Sequence, residues 1–228
     1  MNNEIIAIMT FLILGILTLA CTRLGIKYLF ILSTSIIIIS NVTVQMNVEV
    51  WGIGISWAVI IYSMVYLITD ILSECYERSL AYKLAASNLA VQIFLWVYVW
   101  SSLQVVPKAE SVEIYETMQN LFGSTARITF AAIVASAGTF LDIWVYEFIK
   151  KKSTGKIMSK LWIRNNISTV IGQSANTALF FTLALYGVVP NPALVSIVVS
   201  AVVIKVVIAA CDTPFIYLAR RIIANQNG

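Results

Sequence analysis

The sequence predicts an all-α integral membrane protein. It reads as a polytopic bundle of six to seven transmembrane helices, N-terminus outside and C-terminus cytoplasmic. Three observations carry this. Hydrophobic residues make up 60% of the 228 and charged ones only 11%, with mean hydropathy +0.88; a soluble domain carries about 25% charged residues. The apolar residues fall into seven runs, about 5–20, 28–46, 52–73, 79–103, 126–149, 164–187 and 193–219, most reaching the ~20 residues a spanning helix needs. The segments between the runs alternate in charge, which sets the orientation.

The first run is the shortest. It lacks a positive leading region and a cleavage site and reads as a retained helix, with six spans plus a peripheral first helix as the alternative count. Arg23 and Lys27 follow it, Arg78 and Lys83 follow the third run, and Arg220 and Arg221 follow the last. Lys150, Lys151, Lys152, Lys156 and Lys160 follow the fifth, with Arg164 opening the sixth. The other side holds Glu4, Glu49, Lys108, Glu110, Glu113 and Glu116, with Arg127 just inside. Basic loops are retained in the cytoplasm, so an odd number of spans follows, seven for preference. Ile114, Met118 and Leu121 are at helical spacing and predict a short surface helix in the acidic 104–123 segment. Asn191-Pro192 predicts a tight turn before the last span. Trp51, Trp100 and Trp162 fit an interfacial belt. One bundle uses the whole length, so residues 1–228 form a single transmembrane domain in the cell membrane.

Several chemistries are absent. There is no histidine, which removes the usual proton shuttle and the commonest metal ligand. Cys21, Cys75 and Cys211 form no CxxC and are expected as free thiols. The net charge of +4 comes from the loops, so no nucleic-acid partner is expected. No HExxH, DDxxD or Ser–His pair exists, so the chain is not expected to be an enzyme, and no metal or cofactor is expected.

Chemistry instead gathers on helix faces. Asp70, Asp142 and Asp212 each close an apolar run and are each followed eight residues later by a cation, Arg78, Lys150 or Arg220. An intramembrane carboxylate is costly and marks a functional site by default. Three at one depth predict a polar chamber. On the i, i+3, i+4 faces, span three adds Ser63, Tyr66, Glu74 and Glu77; span five adds Thr139 and Tyr146 beside Gly138. Span six steps through Asn166, Thr169, Gln173, Asn176 and Phe180. Span seven carries Lys205 two turns inside Asp212. The plainer reading of Thr34, Asn41 and Asn88 is interhelical glue worth around 0.6 kcal/mol each. For Glu74, Glu77 and Glu147 it is pairing with cations at the cytoplasmic surface. For Lys205 a carboxylate from span three or five, Asp70 or Asp142, is the expected partner, because a charge at that depth needs one.

Four segments resemble a known family. Ile68 to Tyr76 (ITDILSECY) resembles the T-D-[IL]-x-x-E-x-Y signature of the queuosine precursor transporters, the VUT family. Phe140-Leu141-Asp142-Ile143 is similar to its second aspartate segment. Trp162 to Thr169 (WIRNNIST) with Gln173 resembles its W-x-R-N-N-x-S-T-x-x-x-Q stretch, and Lys205 with Asp212-Thr213-Pro214 and Tyr217 resembles its K-x₆-D-T-P-x-x-Y ending. The order runs from span three to the C-terminus. Two positions depart: Glu77 stands where a glycine commonly follows, and Asn176 where an aspartate is usual.

The resemblance implies import of a 7-deazaguanine, such as the 7-cyano or 7-aminomethyl compound, for queuosine salvage into tRNA. The substrate-binding set it implies is Asp70, Glu74, Asp142, Tyr146, Asn166, Gln173, Asn176, Lys205 and Asp212. A carboxylate can accept both N–H groups of a guanine edge; Asp70 or Asp142 would do so, the other holding Lys205 or Arg164. Lys205, Asn166 or Gln173 would donate to O6, and Tyr66, Trp144, Tyr146 or Phe180 would stack on the ring. The expected partners are thus a purine-like small molecule and the bilayer, with a homodimer as an open assembly. A solitary secondary transporter or facilitator is the preferred mode. One alternative is the substrate-binding subunit of an ATP-driven vitamin importer. The sequence has no GxxxxGK[ST], so ATP drive would need other subunits, and the bulky Ile5–Leu19 helix lacks the small-residue docking face of such subunits. The remote alternative is a retinal-binding seven-helix photoreceptor with Lys205 as Schiff base.

Overall fold

The computed structural model describes residues 2–152 and 161–227. Its elements are α1 (Asn3–Leu24), α2 (Ile26–Thr43), β1 (Asn47–Val50), β2 (Ile53–Ser56), α3 (Ala58–Cys75), α4 (Arg78–Ser102), α5 (Val112–Ala135), α6 (Ala137–Lys152), α7 (Leu161–Leu185) and α8 (Asn191–Asn227). Six helical segments are long and apolar enough to cross a membrane, the end of α5 and α6 forming one of them over Ala126–Lys152. The all-α membrane class is therefore correct. α7 is long enough at 25 residues, but its polar face lowers its hydropathy. It still runs the height of the bundle, from a contact of Asn166 with Thr213 at one end to Arg127 at the other, where that guanidinium donates to the Leu183 and Tyr186 carbonyls. A cation there satisfies the carbonyls a helix end leaves free.

The chain ends lie at opposite ends of the bundle. Asn3 Nδ2 donates to the Glu49 carbonyl at 2.9 Å, beside β1; Gln226 Nε2 donates to the Arg23 carbonyl at 2.7 Å. One end of the bundle is thus the hairpin end, the other the basic end with Lys150 and Arg220. Lys156 and Lys160 of the expected basic loop lie outside the described residues, as does the side chain of Arg164, the other expected partner for Asp70 or Asp142.

Three local expectations are revised. Residues 47–56 pair as an antiparallel hairpin, which takes in 52–56, the expected start of span three. Trp51 (φ 51) and Gly52 (φ 72) give the two positive dihedrals of a two-residue turn, whose twist suits a hairpin. Val50 and Ile55 bury against Ala7, Ile60 and Ile204, so in this apolar chain the strand alternation is masked by hydrophobic neighbours. The short surface helix expected around 114–121 is the start of α5, which continues to Ala135. Asn191 and Pro192 open α8 instead of turning; proline suits a first turn, which needs no N–H from it. The reversal lies before them, where Gly187 takes φ 75.

α3 is the hub. It packs against α1, α2, α4, α6 and α8, and nearly all of it is buried, with Met64, Tyr66, Leu67, Ile68, Ile71 and Leu72 fully so. On α4, Asn88 Nδ2 donates to Ser33 Oγ of α2 at 2.8 Å, the glue role read for it. The break between α5 and α6 falls mid-span, and Asn176 Nδ2 of α7 donates to the freed Ala135 carbonyl at 2.8 Å. At membrane depth a broken helix persists only with such a partner.

Candidate functional site

On α3, Tyr62, Tyr66, Asp70 and Glu74 follow at intervals of four, one ladder down a single face. The predicted polar residues are distributed along it in three tiers.

At the basic end, Glu74 ties three helices together. Its Oε2 accepts from the Tyr146 hydroxyl at 2.7 Å and lies 3.7 Å from Lys150 Nζ; its Oε1 is 3.5 Å from Arg220 Nη1. Lys150 also donates to the Ser73 carbonyl at 2.8 Å. α3, α6 and α8 are thereby clamped. Glu74 and Tyr146 belong to this clamp.

The middle tier holds the carboxylates. Asp70 lies within electrostatic reach of both Asp142 and Asp212, so the common depth read from sequence is a real cluster. The three are 4%, 1% and 2% exposed. Neither oxygen of Asp142, nor Oδ1 of Asp212, has a hydrogen-bond partner. Ser168 adjoins Asp142 but donates to the Asn165 carbonyl at 3.1 Å. Gly172 lets α7 cross here: a Cβ on it would stand 2.3 Å from that of Asp142. Gln173 and Thr169 are buried with unpartnered side-chain atoms, while Asn166 donates to the Trp162 carbonyl at 2.7 Å.

The third tier is a small cavity lined by Ser40, Asn41, Ser56, Tyr62, Ala135, Asn176, Phe180, Phe181 and Lys205, among others. It runs from the hairpin end down to the Lys205 ammonium. That ammonium donates to Asn176 Oδ1 at 3.4 Å and sits 5.6 Å and 5.9 Å from the rings of Tyr62 and Tyr66, within cation–π range. Among the described residues no carboxylate lies within 4.0 Å of it. The expected Asp70 or Asp142 pairing is thus replaced by an amide and two aromatic faces, and a Schiff-base lysine would lack its counter-ion. Of the expected stacking rings Phe180 lines the cavity, whereas Trp144 is 51% exposed on the outside.

A family model described as "Putative vitamin uptake transporter" matches residues 56–219, which takes in all three aspartates, Glu74, Asn176 and Lys205. The chain belongs to the vitamin uptake transporter family. It is a multi-pass protein of the cell membrane. Among the relatives of this family member, a Bacillus subtilis (strain 168) protein named "Probable queuosine precursor transporter" is 25% identical over 82% of the chain and 81% of its own length. An Escherichia coli (strain K12) protein named "Queuosine precursor transporter" is 26% identical over 64% of the chain and 62% of its own. No solved structure matches. The family match begins at the end of β2 and leaves out α1 and α2, although Ser40 and Asn41 of α2 line the cavity. Sequence reading missed Tyr62 and Phe181. The four-residue ladder on α3 contained the signal for Tyr62; Phe181 has none, since it neighbours Phe180 and only packing turns both rings into the cavity.

Proposed function

We propose that this vitamin uptake transporter carries 7-deazaguanines into the cell for queuosine salvage, as a transporter and not an enzyme, and without an ATP-hydrolysing partner. The observation that carries the reading is the cavity ending on Lys205 and Asn176 between Tyr62 and Phe180. An ammonium and an amide fit the O6 and ring nitrogens of a purine-like base, and flanking rings fit its faces. The names of the two bacterial relatives point to the same substrate class. By the positive-inside rule the basic end is cytoplasmic, so the cavity opens outward, in the loading direction for import.

The test is salvage. The chain is expressed in a bacterium that neither makes deazaguanines nor retains its own importer. The 7-cyano and 7-aminomethyl compounds are supplied singly at low concentration, and queuosine in tRNA is measured. Queuosine appearing with either supports the reading; no queuosine from a chain present in the membrane at normal abundance sinks it.

A further inference from the structure

The charge of the cavity wall is one-sided. Among the described residues Lys205 is the charged one that lines it. Every Asp and Glu side chain of the sequence is described, and none of them belongs to the wall. Lys205 is 5% exposed. An ammonium has three N–H donors. The Asn176 amide oxygen takes one of them at 3.4 Å, and the rings of Tyr62 and Tyr66 offer only their faces. Two donors are left without an acceptor among the described residues. The amide is fixed in this orientation, because its Nδ2 donates to the Ala135 carbonyl at 2.8 Å. The other end of the cavity is of opposite character. The hydroxyl protons of Ser40 and Ser56 go to the Ile37 and Val44 carbonyls at 3.0 Å and 2.6 Å, so both oxygens keep only lone pairs to present. A buried ammonium short of acceptors calls for a ligand that supplies them.

We propose that Lys205 makes this cavity select 7-deazaguanines whose 7-substituent accepts hydrogen bonds, neutral or anionic, over those whose 7-substituent is a cation. This deepens the transport reading above and rests on it. In a 7-deazaguanine, O6 and the 7-substituent stand on atoms that both adjoin C5, so they share one edge of the ring. An ammonium seated at O6 therefore meets the 7-substituent as well. A cyano group gives it a second acceptor, and the two spare N–H donors fit the pair. The exocyclic amine on C2, across the ring from C5, is then directed to the lone pairs of Ser40 and Ser56. An aminomethyl group inverts the match. It is an alkyl amine, protonated at neutral pH as lysine is, so it brings only donors and sets a second positive charge beside the first. Like charges ~5 Å apart in a buried site repel strongly, and no carboxylate of the wall offsets them. Selection then comes from repelling the wrong substituent as much as from binding the right one.

The test uses the full chain in liposomes and counterflow exchange of labelled 7-cyano-, 7-hydroxymethyl- and 7-aminomethyl-7-deazaguanine, each also used unlabelled as a competitor. The hydroxymethyl compound matches the aminomethyl one in size and carries no charge, so the two separate charge from shape. The aminomethyl compound should compete at least about tenfold more weakly than the hydroxymethyl compound. Exchange of none of the three would overturn the transport reading and this inference with it. Exchange of the aminomethyl compound alone, or its competing as well as the hydroxymethyl compound, would overturn the selectivity and leave the transport reading standing. Lys205→Met removes the ammonium and Asn176→Asp gives it a counter-charge; each should erase most of the difference between the two competitors. The full difference surviving Lys205→Met at normal abundance would take the role from Lys205. Asn176→Asp also gives up the bond to the Ala135 carbonyl, so where a variant fails to fold the wild-type ratio decides.

Discussion

Replacing Gly172 by alanine tests the crossing of α6 and α7 that holds the middle tier. A methyl there would stand 2.3 Å from Asp142 Cβ, 2.7 Å from its Cα and 2.9 Å from its amide nitrogen, whereas ordinary contact begins at 3.4 Å. Two of those atoms are backbone and cannot rotate away, so the helices must part by about 1 Å in an interior packed at crystal density. Overpacking of this kind costs about 1–3 kcal/mol. Alanine recovers ~1 kcal/mol of helix propensity relative to glycine, for a net loss of up to about 2 kcal/mol. At about 2–4 °C per kcal/mol for a chain of this size, Tm in detergent should fall by up to roughly 8 °C. Uptake should fall further, because Asp142 moves with its helix. Gly54→Ala is the matched control, since nothing lies within 4 Å of its would-be Cβ. The assay is thermal unfolding of purified protein with substrate uptake measured in the same membranes. Gly172→Ala matching the wild type in both would refute the close-crossing argument.

Lys205→Met should reduce uptake at least about tenfold, as loss of a charged hydrogen bond to substrate does, yet leave membrane abundance near normal, because no paired carboxylate is stranded. Uptake assays with quantitative blotting check this, and wild-type uptake would remove Lys205 from the site. Asn88→Ala breaks one bond to Ser33 and should cost ~0.6 kcal/mol with uptake preserved; a large uptake loss at normal abundance would show that α4 contributes more than glue. A reporter active only in the cytoplasm should work when fused after Gly228 and fail within the 104–123 segment. The reverse pattern would turn the cavity inward and contradict import by the route proposed.

Class and tier depth were legible because they rest on one-dimensional quantities. Hydropathy and run length give the spans, loop cations give the sidedness to be tested, and the rise along a helix places Asp70, Asp142 and Asp212 at a common height. The four motif segments likewise marked α3, α6, α7 and α8 before any packing was known. Partners were not legible. Whether Lys205 meets a carboxylate or an amide depends on the rotation of α8 against α3 and α7, and that rotation is decided by side-chain volumes at crossings such as Gly138 against Asn176 and Gly172 against Asp142. The hairpin at 47–56 was hidden for a related reason: its alternation is drowned in apolar neighbours, and only tertiary contact with α1 and α8 gives its buried face something to cover. The sequence by itself determined which residues lie at membrane depth, because solvation acts on each residue separately. The tertiary structure decided which of them touch, and so divided one predicted chamber into a clamp, a carboxylate layer and a cavity, because contact depends on helix rotation and close packing that no single segment specifies.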